Sequence, residues 1–325
     1  MTISKSNRLD WVDIAKGITI LLMVIGHTSI PESISKYIWS FHMPFFFFVS
    51  GMFYSPNKYT KFTILFNRRF HTLIIPYIFF SIIVMLGYFD TIYWHPEELI
   101  LGWSGYALWF IPVLFVAELM LYPFAKYICR PITQYILIFA LLLTSKLLAI
   151  EEIHLPFKLD AVPLACSFVF LGYILKDFSK KYQSPWWLII IAAIVSIILS
   201  QILPKTGIGR NEIGWVIPNY INALIGIFFI MQISRKLIEF NFLKHPKRFI
   251  LWCGKNTLFI LAFSQLFNYW ILLSLNMIGC PHILGLPIRY VLLFISIYIA
   301  SITLIRFTPF LVGKEKISEY AKQHS

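Results

Sequence analysis

Long apolar stretches recur along the chain with only short polar interruptions between them. A helix needs roughly 20 predominantly apolar residues to cross the hydrocarbon core of a bilayer. Ten stretches approach that length: 12–29, 39–55, 72–89, 106–124, 133–150, 160–176, 185–203, 214–233, 256–276 and 288–306. Turn-forming residues punctuate the series, among them Pro31, Pro56-Asn57, Pro96, Pro131, Pro185, Pro204, Pro246 and Pro281. No connection is long enough to separate two domains, and no internal repeat or low-complexity tract interrupts the pattern. The expectation is an all-α, polytopic integral membrane protein of about ten transmembrane helices, one membrane-embedded domain over 1–325.

Composition agrees. Hydrophobic residues make up 58% of the 325 and charged ones 13%, against about 25% charged in a soluble domain. An even number of spans puts both termini on one side. With that side cytoplasmic, all but six of the 28 Lys and Arg fall at or near the inner face. The six are Lys36, Lys146, Lys158, Lys205, Arg210 and Arg289, and Glu97, Glu98, Glu151, Glu152 and Asp160 share the outer side with them. This asymmetry is the positive-inside rule. It accounts for the net charge of +13 without a nucleic-acid partner. Asp10 and Asp13 flank the first stretch, which lacks a small-residue cleavage site and reads as a retained anchor. The four cysteines, Cys129, Cys166, Cys253 and Cys280, fall at different depths, and their spacing suggests neither a disulfide framework nor a metal site.

Polar residues inside the apolar stretches carry the candidate chemistry, because an ionisable group at membrane depth is costly and tends to face a polar interior. Asp13 and His27 lie 14 residues apart, roughly 21 Å of helical rise and close to four whole turns, so they share one face with Gly17, Ile20 and Val24 between them. His27 is either a base in a polar interior or a helix-end residue reaching interfacial water. The second stretch brings His42, an interfacial anchor or a partner for His27, and Ser50-Gly51, a small-residue helix contact. Arg68 and Arg69 either set topology or clamp a phosphate. Trp109 and Glu118 sit in the fourth stretch, where the carboxyl is functional or bonds a neighbouring helix.

Several of these segments together resemble the membrane-bound acyltransferase type 3 family, most closely its fucose 4-O-acetylase-like branch. They are Arg8 to Asp13-x-x-Lys16-Gly17 leading to Gly26-His27, then Phe41-His42-Met43-Pro44, Phe48-Val49-Ser50-Gly51 and Arg68-Arg69 before Pro76-Tyr77. Leu108-Trp109-Phe110-Ile111-Pro112, Asp160 leading to Leu171-Gly172-Tyr173, and Gly254-Lys255-Asn256-Thr257-Leu258 continue the series in order. The resemblance implies a ten-helix enzyme of the bacterial cytoplasmic membrane. It would move an acyl group, usually acetyl, from cytoplasmic acetyl-CoA to a hydroxyl of a surface or lipid-linked glycan, with no metal. It maps the catalytic histidine onto His27 and the coenzyme-binding arginines onto Arg68 and Arg69. Two positions depart from the family pattern: Thr72 stands three residues after Arg69, and Ser264 stands where many relatives have histidine.

A sugar hydroxyl is a poor nucleophile near neutral pH, and imidazole is the natural base to activate it. His27 and Asp13 are therefore the expected catalytic residues, His27 as the general base and Asp13 at the other end of its helical face, with His42, Trp109 and Glu118 positioning the substrates. Direct reach of the coenzyme arm along a polar seam from Asp13 to His27 is favoured over an acyl-enzyme relay. A transporter or flippase for a glycan or small solute is the competing class, although no paired, Gly/Pro-interrupted spans recur in two halves.

Overall fold

The computed structural model of the chain describes residues 9–28, 30–89, 91, 106–240, 244–279 and 282–313. Arg8, Ser29, Pro96, Glu97, Glu98, Cys280 and Pro281 lie outside the described residues. No β-strand occurs among those described; a lone antiparallel bridge joins Gly207 to Glu212. Helix α1 (Asp10–Gly26) turns at Pro31 into α2 (Glu32–Met52). Then come α3 (Phe62–Arg69), a π-helical turn (Phe70–Ile74) and α4 (Ile75–Gly87), which form one continuous run. A 3₁₀ turn (Tyr106–Trp109) opens α5 (Phe110–Tyr127), and α6 (Pro131–Ile150) follows. Another 3₁₀ segment (Pro156–Ala161) precedes α7 (Val162–Ile174), and short α8 (Lys176–Lys181) leads to α9 (Trp186–Ile202). The chain closes with α10 (Val216–Glu239), α11 (Lys244–Lys255), α12 (Thr257–Met277) and α13 (His282–Phe307).

Each predicted stretch coincides with a helix, with shifted ends. Seven of the described helical runs are long and apolar enough to cross a membrane: Phe62–Gly87, Ala107–Tyr127, Pro131–Ile150, Pro156–Ile174, Val216–Glu239, Thr257–Met277 and Pro287–Phe307. Helices α1 and α9 are shorter, at 17 residues each, and α2 dilutes its apolar content with Ser40, His42, Pro44 and Ser50. Lipid-facing surfaces are visible in the packing. Ile132, Ile136, Phe139, Leu143 and Leu147 form an exposed apolar stripe along α6, and Val291, Ile295, Ile299 and Ile302 form another along α13. Apolar stripes of this kind are stable where hydrocarbon is the solvent. The chain is a multi-pass membrane protein.

Two crossings bring backbones into direct contact. In the first, a Cβ built on Gly51 of α2 would lie 1.8 Å from the Val169 carbonyl oxygen of α7, and one on Gly172 would lie 2.1 Å from that of Phe48. The second pairs α1 with α11: a Cβ on Gly17 would meet the Ile250 carbonyl at 2.1 Å, and one on Gly254 the Asp13 carbonyl at 1.8 Å. Small residues permit this approach, and in lipid dense packing is a main source of helix association. Helix α11 comes from a stretch that reads in sequence as a basic connection. Its twelve residues are too few to span a bilayer. Ile250 and Gly254, four apart, present one face to α1, while His245 and Arg248 stay exposed. Gly17 is thus a packing residue, where the sequence suggested a wall of the polar seam.

Candidate functional site

Two separate cavities open at opposite ends of α1. The larger, about 930 Å³, is lined at its polar end by Asp13, Lys16, Ser50, Lys58, Arg68, Arg69 and Glu118. Its apolar end is formed by Ile20, Phe46, Phe110 and Ile111. The smaller, about 340 Å³, is lined by His27, Trp39, His42, Met43, Trp109 and the 205–210 segment. The two back onto each other: Trp109 and Phe110 are chain neighbours that face different cavities, and Met43 and Phe46 do the same one helical turn apart. The Phe46 and Phe110 rings meet edge to face with centroids 6.1 Å apart. The continuous polar seam expected from the shared face of Asp13 and His27 is therefore closed by an aromatic partition. On the α1 side of that partition the intervening residues, Ile20, Met23 and Val24, are buried and apolar.

In the larger cavity the ionic groups are partly paired. Arg69 Nε lies 2.8 Å from Glu118 Oε2, and the Ser50 hydroxyl donates to Glu118 Oε1. Glu118 is buried, so one carboxylate ties α2, α3 and α5 together and satisfies the requirement that a buried charge be paired. Lys16 Nζ lies 3.7 Å from Asp13 Oδ1. That leaves Arg68, whose guanidinium sits 5.8 Å over the Tyr59 ring, and Lys58, neither with a carboxylate partner among the described residues. Desolvation at the cavity wall pulls the Lys58 ammonium below its usual range, and the Arg68 and Arg69 charges add to the effect. An anion entering here would be met by positive charge.

The arginine pair is followed by the π-helical turn, where the Ile75 N–H reaches back five residues to the Phe70 carbonyl. Pro76 has no N–H with which to continue an α-helical ladder, and π-turns of this kind often mark functional sites. The Thr72 hydroxyl donates to the Arg68 carbonyl at 3.0 Å. Ser264 is buried and lines neither cavity.

The smaller cavity is built around Trp39. Its indole N–H donates to the Gly26 carbonyl at 3.2 Å, an approach helped by the missing side chain at Gly26. The Trp39 ring lies 5.5 Å from the His27 ring and 6.2 Å from that of His42. His27 caps α1, is exposed at the cavity, and makes no side-chain hydrogen bond to a described residue. His42 is buried, with Nδ1 2.9 Å from the Ile38 carbonyl. A carbonyl only accepts, so Nδ1 carries the proton and Nε2 holds the lone pair of the neutral ring. Trp109 supports Gly209 of the 205–210 segment, where a Cβ would lie 2.6 Å from the indole.

The residues singled out in sequence thus divide into two groups. Asp13, Arg68, Arg69 and Glu118 converge in the larger cavity; His27, His42 and Trp109 converge in the smaller. Sequence reasoning assigned Ser50 to helix packing and Lys58 to topology, and both line the larger cavity. Lys58 lies in the same connection as the arginines, but only the folding of that connection through α3 brings it beside them. Glu118→Gln is expected to keep the Ser50 contact and lose the charge that holds Arg69. Melting should change little, while the affinity for an anionic ligand of this cavity should fall. Glu118→Ala should also destabilise, by about 2–3 kcal/mol, at or below the value for a fully buried pair because water reaches Arg69.

In comparisons with known proteins, a family model described as an acyltransferase domain, type 3, matches residues 9–306. No curated protein and no solved structure matches the chain.

Proposed function

Because the chain belongs to the type 3 acyltransferase family, and acyl transfer is its chemistry, we propose that it is an O-acetyltransferase of the fucose 4-O-acetylase-like branch. The donor is cytoplasmic acetyl-CoA and the acceptor a hydroxyl of a surface polysaccharide or lipid-linked glycan. In this reading ten helices cross the bacterial cytoplasmic membrane, both termini are cytoplasmic, and the larger cavity opens inward. The observation that carries it is the division of labour between the cavities. One offers Lys58 and Arg68 with no carboxylate partner among the described residues, suited to coenzyme phosphates; the other offers two imidazoles, suited to a hydroxyl.

The reaction needs one proton moved twice. His27 accepts the acceptor hydroxyl proton as the oxygen attacks the thioester carbonyl. The tetrahedral intermediate then collapses, the C–S bond breaks, and the imidazolium returns the proton to the coenzyme thiolate. For the thin pantetheine arm to present the thioester beside His27, the Phe46 and Phe110 rings that close the partition must swing apart; no acyl-enzyme is then required. Asp13, paired with Lys16, sets the charge at the coenzyme end of α1.

Purified protein supplied with acetyl-CoA and a glycan acceptor is expected to release free coenzyme A, with acetylated glycan detected by mass spectrometry. Glycan that crosses vesicles without thioester consumption would instead identify a flippase. Arg68→Gln is expected to raise the acetyl-CoA KM about tenfold, the scale of one charge-assisted hydrogen bond, with acceptor KM unchanged. Equal donor KM in wild type and variant would remove Arg68 from coenzyme binding.

A further inference from the structure

The six basic residues that sequence assigns to the outer side are used in different ways. Lys36 pairs with Glu32 at 3.4 Å, Lys146 donates to the Gly214 carbonyl at 3.0 Å, and Arg289 donates to Asn268. Lys158 is buried and engaged by its surroundings. Lys205 and Arg210 stand apart. Neither has a carboxylate partner among the described residues, and both lean on Trp39, with Lys205 Nζ 4.6 Å and Arg210 Cζ 5.8 Å from the ring centroid. A cation over an indole is held in place without being neutralised.

Both residues line the smaller cavity together with His27 and His42, and no acidic residue lines it among the described residues. The one acid in the same loop, Glu212, faces a different hollow beside Ser40 and Pro44. The loop that carries the cations is itself structured. Gly207 and Glu212 exchange two backbone hydrogen bonds, at 2.8 and 3.1 Å, and Asn211 closes the turn at a φ of 59°. The Thr206 hydroxyl reaches the Trp39 carbonyl at 3.5 Å, and Gly209 rests on Trp109. Two cations are therefore presented by an ordered loop to the cavity that holds the imidazoles, on the side of the membrane where cations are scarce.

We propose that the acceptor is acidic, and that its carboxylate or phosphate is bound between Lys205 and Arg210 while the hydroxyl to be acylated faces His27. This deepens the acyl-transfer reading and rests on it for the identity of the ligand as acceptor. The charged group fixes the sugar through two contacts remote from the reacting oxygen, so binding energy is used for orientation. A neutral sugar of the same shape loses both contacts.

The test uses purified full-length protein and three probes: a glucuronate-containing oligosaccharide, its carboxyl-reduced counterpart, and a phosphorylated sugar. Melting is followed with each probe, and coenzyme A release with each plus acetyl-CoA. At least one acidic probe is expected to stabilise the wild type and the reduced one not to, and which acid does so distinguishes carboxylate from phosphate. Lys205→Gln/Arg210→Gln should abolish that stabilisation and raise the KM of the acidic acceptor tenfold or more, leaving the acetyl-CoA KM in place. Equal response to acidic and reduced probes, no stabilisation by any probe, or an unaltered double variant would overturn the proposal. Charge-dependent stabilisation lost in the double variant but without coenzyme A release would keep the anion site and refute the acyl-transfer reading.

Discussion

His27→Ala is expected to lower turnover by about 10²–10⁴-fold, the range contributed by a positioned general base, or about 2.7–5.5 kcal/mol of transition-state stabilisation. The structure makes this a clean experiment. His27 caps α1, is exposed at the smaller cavity and makes no side-chain hydrogen bond to a described residue, so its removal should leave membrane insertion and melting close to wild type. On the proposed reading the acetyl-CoA KM should also hold, because that reading puts the coenzyme phosphates in the opposite cavity. Added imidazole should restore part of the activity. Undiminished turnover in His27→Ala would transfer the base to His42, whose Nε2 lone pair is set by the Nδ1 contact to Ile38.

Gly172→Ala is expected to cause a large loss of stability. Its new Cβ would lie 2.1 Å from the Phe48 carbonyl oxygen, 2.9 Å from the carbonyl carbon and 3.2 Å from the Phe48 Cα. All three are backbone atoms and cannot rotate away, so α2 and α7 must separate. Overpacking typically costs about 1–3 kcal/mol and occasionally more; a backbone clash on a helix pair this central belongs at the upper end. Melting in detergent should fall by several degrees, and Gly172→Leu should fail to yield a monodisperse protein. Gly172 lines neither cavity, so the loss reports packing alone. Leu143→Ala, on the exposed stripe of α6, serves as the near-neutral control. A Gly172→Ala protein that melts with wild type would show that this crossing relaxes freely.

The same geometry changes what Gly17 can report. A bulky residue there would strike the Ile250 carbonyl of α11 and disturb the packing of the helix that both cavities share. Helical periodicity correctly places Gly17 between Asp13 and His27. It says nothing of the partner, because α11 arrives from more than 200 positions away in the chain.

Sequence alone determined the all-α membrane class, the positions of the apolar helices and most of the polar residues that matter, because continuous apolar runs of roughly 20 residues satisfy their backbone in hydrocarbon as helices, and hydrocarbon makes every buried charge conspicuous. It also pointed to the family through short motifs that the family match over residues 9–306 bears out. Tertiary structure decided how those residues are grouped. Asp13 and His27 share a face of α1 yet open into different cavities, because Phe46 and Phe110 from α2 and α5 close the space between them. Glu118 acquired Arg69 and Ser50 as partners from two other helices, and Lys205 and Arg210 acquired Trp39. A helix period fixes which residues look the same way; which surface they look at depends on contacts between distant segments, and those are set by packing.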